Sequence, residues 1–234
     1  MKFKAVLFDL DGTLLPMDQD LFTRLYFKGL CEALAPRGYR PKELVAAVLQ
    51  GTKAMAENDG RQTNEEAFWQ AFTTIYGDHA RADESYFTAY YQGAYKDLKE
   101  ICGYNPKAVQ FVQKLKEEGC PMVLATNPVF PRFALEERAC WAGVDPADFT
   151  WVSGYETSVG CKPDPRYFKA MAERLGLAPE ECLMVGNDVR DDGGALMAGM
   201  SLFLVTDCLL NREDRDISRI PHGNFDDLKD FLER

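Results

Sequence analysis

The stretch of sequence that decides the fold is Ala5-Val6-Leu7-Phe8-Asp9-Leu10-Asp11-Gly12-Thr13, an apolar run that leads into acidic residues and a glycine. Continuous apolar runs without helical spacing are typical of strands that are buried on both faces of a parallel sheet. We therefore predict a first strand at residues 5–10. Four later runs have the same character and lie at residues 122–126, 149–153, 183–186 and 202–206.

Helical patterns separate the last four predicted strands. Residues 105–119 and 164–176 each begin with a capping Asn or Asp followed by Pro, and each ends at Gly. Residues 131–141 and 194–200 have the spacing of two further helices. Strands and helices in alternation predict an α/β fold with a doubly wound, Rossmann-like parallel sheet.

Residues 16–95 interrupt this alternation, because they contain no convincing strand and four helical stretches. The third stretch opens with the capping-box pair Thr63 and Glu66. Its predicted apolar stripe consists of Phe68, Phe72, Ile75 and Tyr76. We predict two domains: an α/β core formed by residues 1–15 and 96–234, and an inserted all-helical bundle formed by residues 16–95.

Length, charge and cysteine content narrow the function classes. The chain has 234 residues, 46% of them hydrophobic, which is enough for a sizeable core. The formal net charge of −10 disfavours nucleic acid as a partner, since an acidic surface repels a phosphate backbone. No apolar run approaches the roughly eighteen residues that cross a bilayer. The seven cysteines are widely spaced and odd in number, which favours a reducing cytoplasm.

Ligands of open α/β sheets bind beyond the carboxyl ends of the strands. Asp9 and Asp11 follow the first strand, and alternate strand residues share a face, so both carboxylates are expected to reach that crevice. Paired carboxylates suit cation binding, or a nucleophile beside a general acid and base.

Further polar residues follow the other strands. Thr126 and Asn127 follow the second strand and have groups that donate hydrogen bonds to phosphate oxygens. Lys162 precedes the helix after the third strand and is suited to neutralising a phosphate or a carboxylate. The fourth strand leads into Asn187 and then into an acid cluster that consists of Asp188, Asp191 and Asp192. Three carboxylates so close together favour a bound cation such as Mg2+, because like charges repel one another.

Taken in order, these motifs resemble those of the haloacid dehalogenase superfamily of phosphohydrolases. The matching residues are Asp9-x-Asp11-Gly12-Thr13, then Thr126, then Lys162-Pro163, then Gly186-Asn187-Asp188 with Asp192. The resemblance covers the chain from Phe3 to about Thr206, and the inserted helical bundle looks like the family's helical cap.

The resemblance implies a Mg2+-dependent phosphatase that acts on a small phosphorylated metabolite. Asp9 would attack phosphorus and form an aspartyl-phosphate, and Asp11 would serve as general acid and base. Thr126 and Asn127 would hold phosphoryl oxygens, and Lys162 would offset charge.

For the metal, the resemblance implies Asp9, the Asp11 carbonyl and Asp188 as ligands. The family usually has Gly-Asp where this chain has Gly186-Asn187-Asp188. Either Asp188 contacts Mg2+ directly, or Asn187 does so with Asp188 behind it. We favour Asp188, because a carboxylate binds Mg2+ better than an amide, and we expect Asn187 or Asp192 to support the ligands.

Other activities of the superfamily remain open at this point. A phosphosugar mutase would use the same residues, and a phosphonate hydrolase would need a cap lysine such as Lys28 or Lys53. A haloacid dehalogenase is disfavoured because the family's dehalogenases usually lack the second aspartate, Asp11. A non-catalytic scaffold is disfavoured because no motif is lost. The substrate and the choice between monomer and homodimer stay undecided.

Overall fold

A computed structural model of the chain describes residues 2–233. Its strands are β1 Ala5–Phe8, β2 Met122–Leu124, β3 Trp151–Val152, β4 Cys182–Gly186, β5 Ser201–Val205 and β6 His222–Gly223. They form one parallel sheet in the order β3-β2-β1-β4-β5-β6. The predicted α/β class with a doubly wound parallel sheet is confirmed.

Two details of the sheet differ from the prediction. β1 ends at Phe8 and β2 at Leu124, so Asp9 and Asp11 do not share a strand face and instead lie in the loop after β1. β6 was not predicted, since a two-residue segment has no apolar run. It forms by pairing with the edge of β5, where Leu204 lies opposite His222.

The helices are α1 Gln19–Leu34, α2 Pro41–Ala56, α3 Asn64–Tyr76, α4 Glu84–Gln92, α5 Pro106–Glu117, α6 Arg132–Trp141, α7 Pro165–Leu175, α8 Gly194–Ala198 and α9 Phe225–Glu233. The predicted caps are present, because the side chains of Thr63, Asn105 and Asp164 each accept a hydrogen bond from a backbone N–H of the helix that follows. Helix positions in the core therefore follow from local sequence.

Apolar side chains cover both faces of the sheet. Val6 and Phe8 of β1 belong to one buried cluster, which includes residues of α5, α6 and α9. Ala5 and Leu7 point to the opposite face, where residues of α7 and α8 form a second cluster. Because successive strand residues alternate between faces, this division buries β1 completely.

Residues 16–95 contain α1–α4 and no strand of the described sheet. Their apolar residues, such as Phe22 and Phe72, continue the first cluster. Ile75 is 42% exposed, so the predicted stripe was wrong at that position. The buried face of α3 includes Trp69 and Phe72, and Tyr76 stacks on Phe72, whereas Ile75 lies outside this face. The division into two domains stays a prediction. None of the helices in residues 2–233 is long and apolar enough to cross a membrane.

Candidate active site

The predicted site residues meet at the carboxyl ends of the central strands. They line one cavity of about 190 Å3, which contains Asp9, Asp11, Thr126, Asn127, Lys162, Asn187, Asp188 and Asp192. β1 lies between β2 and β4, so the sheet reverses its strand order at this point. Such a switch point is where doubly wound sheets bind ligands.

A buried ion-pair triad forms the base of the cavity. Lys162 Nζ lies 2.7 Å from Asp9 Oδ1 and 2.7 Å from Asp192 Oδ1. Burial lowers the pKa of Lys162, but Asp192 and Asp9 raise it by more, so the ammonium stays charged. Burial raises the pKa of Asp9, and raises that of Asp192 to about 6, while Lys162 opposes both shifts. The lysine therefore fixes the position of Asp9 and partly neutralises it.

The turn after β1 places Asp9 against the loop after β4. Thr13 Oγ1 lies 3.2 Å from Asp9 Oδ2 and 3.1 Å from Asn187 Oδ1, and it can donate to either oxygen. Gly12 has φ +87°, and a Cβ on it would lie 2.2 Å from Asn187 Nδ2. Only glycine fits this position without displacing the Asn187 amide.

The loop after β4 separates the roles of its polar residues. Both ends of the buried Asn187 amide are used, because Oδ1 is near Thr13 and Nδ2 donates to the Cys208 carbonyl. Asp188 Oδ1 accepts hydrogen bonds from the backbone N–H groups of Arg190 and Asp191.

Asp192 lies behind this loop and has both carboxylate oxygens engaged. Its Oδ1 pairs with Lys162, and its Oδ2 accepts from the Asp188 N–H. A Cβ on Gly186 would lie 2.1 Å from Asp192 Oδ2, so this glycine makes room for the carboxylate. Asp192 thus supports both Lys162 and the Asp188 loop.

Arg138 is a site residue that sequence reasoning missed. It is 1% exposed, and its Nη1 lies 3.2 Å from Asp11 Oδ2. Within the described residues, none of its guanidinium nitrogens has a hydrogen-bond partner, and neither has Asp11 Oδ1. The guanidinium carbon lies 4.4 Å from the ring centroid of Phe130, a cation–π contact.

A signal for Arg138 was present in the sequence. Arg138 is three residues after Leu135 and three before Trp141, on the apolar face of α6. A charged residue on a buried helix face normally has a partner of opposite charge. Gln19 was also missed: its Nε2 donates to the Asp11 carbonyl over 2.9 Å, and no sequence pattern marked it.

The loop after β2 is anchored by hydrogen bonds from side chains of other segments. The Thr126 carbonyl accepts from Ser153 Oγ and from the Tyr167 hydroxyl, each over 2.8 Å. Asn127 Nδ2 donates to Asp191 Oδ2 over 3.3 Å, which joins this loop to the loop after β4. Asp191, which the sequence placed in the acid cluster but which we favoured less than Asp192 as a supporting residue, lines the cavity. Burial is the main cause that raises the pKa of Asp191 to about 6, and the negative charge of Asp188 contributes to the rise.

The donor set fits a hard cation. Five aspartates line the cavity, and burial raises the pKa of Asp9, Asp11, Asp191 and Asp192. A divalent cation would relieve this crowding of carboxylates, and oxygen ligands are those that Mg2+ prefers. Within residues 2–233, no three His, Cys, Asp or Glu side chains are already grouped as a metal site. The expected set has only two carboxylates, from Asp9 and Asp188, together with the Asp11 carbonyl.

Comparison with known proteins gives the family. The model of the haloacid dehalogenase-like hydrolases matches residues 3–199, and the chain therefore belongs to this family. A phosphoglycolate phosphatase of Xanthomonas campestris pv. campestris is 26% identical over 220 residues, which are 86% of this chain and 82% of that protein. A phosphoserine phosphatase of Thermus thermophilus is 34% identical over 128 residues, 54% of this chain and 49% of that protein. These relatives identify the chain as an enzyme of the phosphohydrolase class.

Solved structures agree on the fold. A predicted phosphoglycolate phosphatase from Haemophilus somnus 129PT superposes with a TM-score of 0.62 at 21% identity and covers 99% of each chain. An L-2-haloacid dehalogenase superposes with a TM-score of 0.60 at 18% identity and covers 100% of each chain. The same fold thus serves both activities, so the residues of the site have to separate them.

Proposed function

We propose that this chain is a Mg2+-dependent phosphatase that hydrolyses a small phosphate monoester through an aspartyl-phosphate on Asp9. The observation that carries the proposal is the buried triad, in which Lys162 Nζ lies 2.7 Å from both Asp9 and Asp192. A carboxylate that is held by a buried ammonium at the carboxyl ends of the strands is fixed in orientation, and this favours its use as a nucleophile.

The reaction has two steps on the residues of this chain. A carboxylate oxygen of Asp9 attacks phosphorus, so an Asp9–phosphorus bond forms and the bond to the leaving oxygen breaks. Asp11 gives a proton to that oxygen. Asp11 then takes a proton from a water molecule, whose oxygen attacks phosphorus and frees Asp9 as inorganic phosphate leaves.

Two observations support Asp11 as the acid and base. Burial raises the pKa of Asp11, although Arg138 and Lys162 oppose the shift. Its Oδ1 has no hydrogen-bond partner among the described residues. A carboxyl group with a raised pKa and a free oxygen is suited to holding a proton and passing it on.

The remaining polar residues bind and neutralise the phosphoryl group. In this proposal Thr126 and Asn127 hold its oxygens, and Lys162 offsets its charge. Mg2+ held by Asp9, the Asp11 carbonyl and Asp188 would neutralise further negative charge. We favour Asp188 over Asn187 as the ligand, because a carboxylate binds Mg2+ better than an amide.

Two other activities of the superfamily, those of a phosphonate hydrolase and of a dehalogenase, have less support. A phosphonate hydrolase would need a lysine at the substrate, but Lys28 and Lys53 are 68% and 71% exposed and lie near Glu32 and Glu57. Neither lines the cavity that contains Asp9. A dehalogenase has no proton to deliver to its leaving halide, and so has no use for the half-buried carboxyl group of Asp11.

The test is release of inorganic phosphate from a generic ester, measured with Mg2+ and with EDTA. Asp9→Asn should lower kcat by about four orders of magnitude or more. The control Asp97→Asn changes an exposed carboxylate and should keep wild-type kcat. Asp188→Asn should need a higher Mg2+ concentration for half-maximal rate. The proposal would be contradicted if Asp9→Asn kept the full wild-type kcat, or if the wild-type enzyme released phosphate in EDTA as fast as in Mg2+.

A further inference from the structure

A second cavity of about 190 Å3 lies beside the catalytic one. It is enclosed by α1–α4 on one side and by the loops after β2 and β3 on the other. Of the fifteen described residues that line it, none carries a charge. Aromatic rings dominate the lining, among them Phe22, Phe68, Trp69 and Phe130. Such a cavity excludes charged groups, because they would lose their hydration without gaining a partner.

The two cavities share part of their walls. Phe22, Thr23 and Phe130 line the catalytic cavity and also the apolar one. The two cavities therefore adjoin at these three residues, and the apolar cavity is the neighbouring space that the leaving group of an ester bound at Asp9 could occupy.

The charges in the catalytic cavity disfavour an acidic leaving group. Lys162 and Arg138 are the only cationic residues among the described ones that line it. Lys162 is paired with Asp9 and Asp192, and Arg138 lies against Asp11. A carboxylate on the leaving group would meet five aspartates and only two cationic side chains, each of which already faces an aspartate, so it would be repelled.

We propose that the substrate is a phosphate monoester whose leaving group is uncharged and apolar, of the size of a phenyl group with one or two methylenes, and occupies the cavity lined by Phe22, Phe68, Trp69 and Phe130. A cavity of about 150 Å3 with apolar walls is known to hold benzene, so about 190 Å3 is sufficient. The proposal rests on the proposed phosphatase activity. The apolar leaving group differs from those in the names of the relatives, glycolate and serine, which both carry a carboxylate.

A series of alkyl esters tests the leaving group. Methyl, ethyl, butyl and 2-phenylethyl phosphate are compared with phosphoglycolate, with Mg2+ present and free phosphate measured. The alkyl leaving groups have similar basicity, so differences in kcat/KM report binding. We expect kcat/KM to rise about fourfold for each buried methylene, with 2-phenylethyl phosphate fastest and phosphoglycolate slower than ethyl phosphate.

A matched pair of variants tests the cavity. Thr52 and Thr74 lie on α2 and α3, and each hydroxyl donates to a carbonyl of the preceding turn. Thr52 lines the apolar cavity, whereas Thr74 is exposed and does not. Thr52→Phe should lower kcat/KM for 2-phenylethyl phosphate at least about tenfold and leave methyl phosphate unchanged. Thr74→Phe should leave both values unchanged.

Two results would overturn the assignment while the phosphatase activity stands. One is a kcat/KM that does not rise with apolar size, or that is highest for phosphoglycolate. The other is an equal loss of kcat/KM for methyl and 2-phenylethyl phosphate in Thr52→Phe, provided that urea unfolds this variant at the same midpoint concentration as the wild type. Absence of turnover on every ester would overturn the proposed function itself, and this proposal with it.

Discussion

Removal of the Lys162 charge should destabilise the fold strongly at neutral pH. In Lys162→Met the carboxylates of Asp9 and Asp192, each 2.7 Å from the ammonium in the wild type, are left buried without a cation. Breaking a buried pair by removing one partner costs about 3 to 5 kcal/mol. For a chain of this size that loss lowers Tm by about 6 to 20 °C. Lys169→Met is the control, because Lys169 is exposed on α7, and it should change stability by less than about 0.5 kcal/mol.

The pH dependence separates lost charge from lost packing. Burial raises the pKa of Asp9, and that of Asp192 to about 6, while Lys162 lowers both. Without Lys162 these pKa values rise further, so a larger fraction of the two carboxyls is neutral at pH 5 than at pH 7.5, and the deficit shrinks. The assay is urea unfolding of both variants and the wild type in EDTA at pH 7.5 and pH 5. A Lys162→Met deficit equal at the two pH values, or no larger than that of Lys169→Met, would refute the reasoning.

Two further perturbations test other parts of the site. Gly12→Ala forces an L residue to φ +87° and a Cβ within 2.2 Å of Asn187, whereas Gly119→Ala has φ +68° and open space. Both variants should lose about 1 to 2 kcal/mol of the free energy of unfolding because of the backbone conformation. Only Gly12→Ala should lose more than this and also lose phosphatase activity. Equal effects of the two variants in unfolding and activity assays would argue against the close approach of Gly12 to Asn187. Burial raises the pKa of Asp191 from 3.8 to about 6, so metal-free Asp191→Asn should be more stable than the wild type at pH 7, by roughly 3 kcal/mol. That advantage should disappear as pH falls through 6 toward 4; urea midpoints that show the opposite trend would count against a crowded acid cluster.

Local sequence predicted the central sheet and the helix starts because short-range physics fixes them. The continuous apolar run of β1 has only one environment that satisfies it, between two helical layers. Capping pairs such as Thr63 with Glu66 mark helix starts within one turn. The edge of the sheet at which Asp9 and Lys162 lie followed from the alternation of strands and helices, although β1 and β2 each end two residues earlier than predicted.

Other features depend on contacts between distant segments. β6 exists only because His222 meets the edge of β5. The role of Gln19 depends on how α1 leaves the loop after Asp11, and no local pattern shows that geometry. Arg138 gave a signal on the apolar face of α6, but its partner, Asp11, is more than one hundred residues away. The exposure of Ile75 depends on which face of α3 meets the neighbouring helices, and that face includes Trp69 and Phe72.

The most direct test of the account is to identify the atom that carries the phosphoryl group during turnover. Enzyme mixed with an excess of ester and Mg2+ is quenched in acid within one turnover, digested, and analysed by mass spectrometry. We expect one phosphoryl group on the peptide from the N-terminal segment, located at Asp9, and none in Asp9→Asn. A phosphoryl group on another residue, or steady turnover with none on the protein, would contradict covalent catalysis by Asp9.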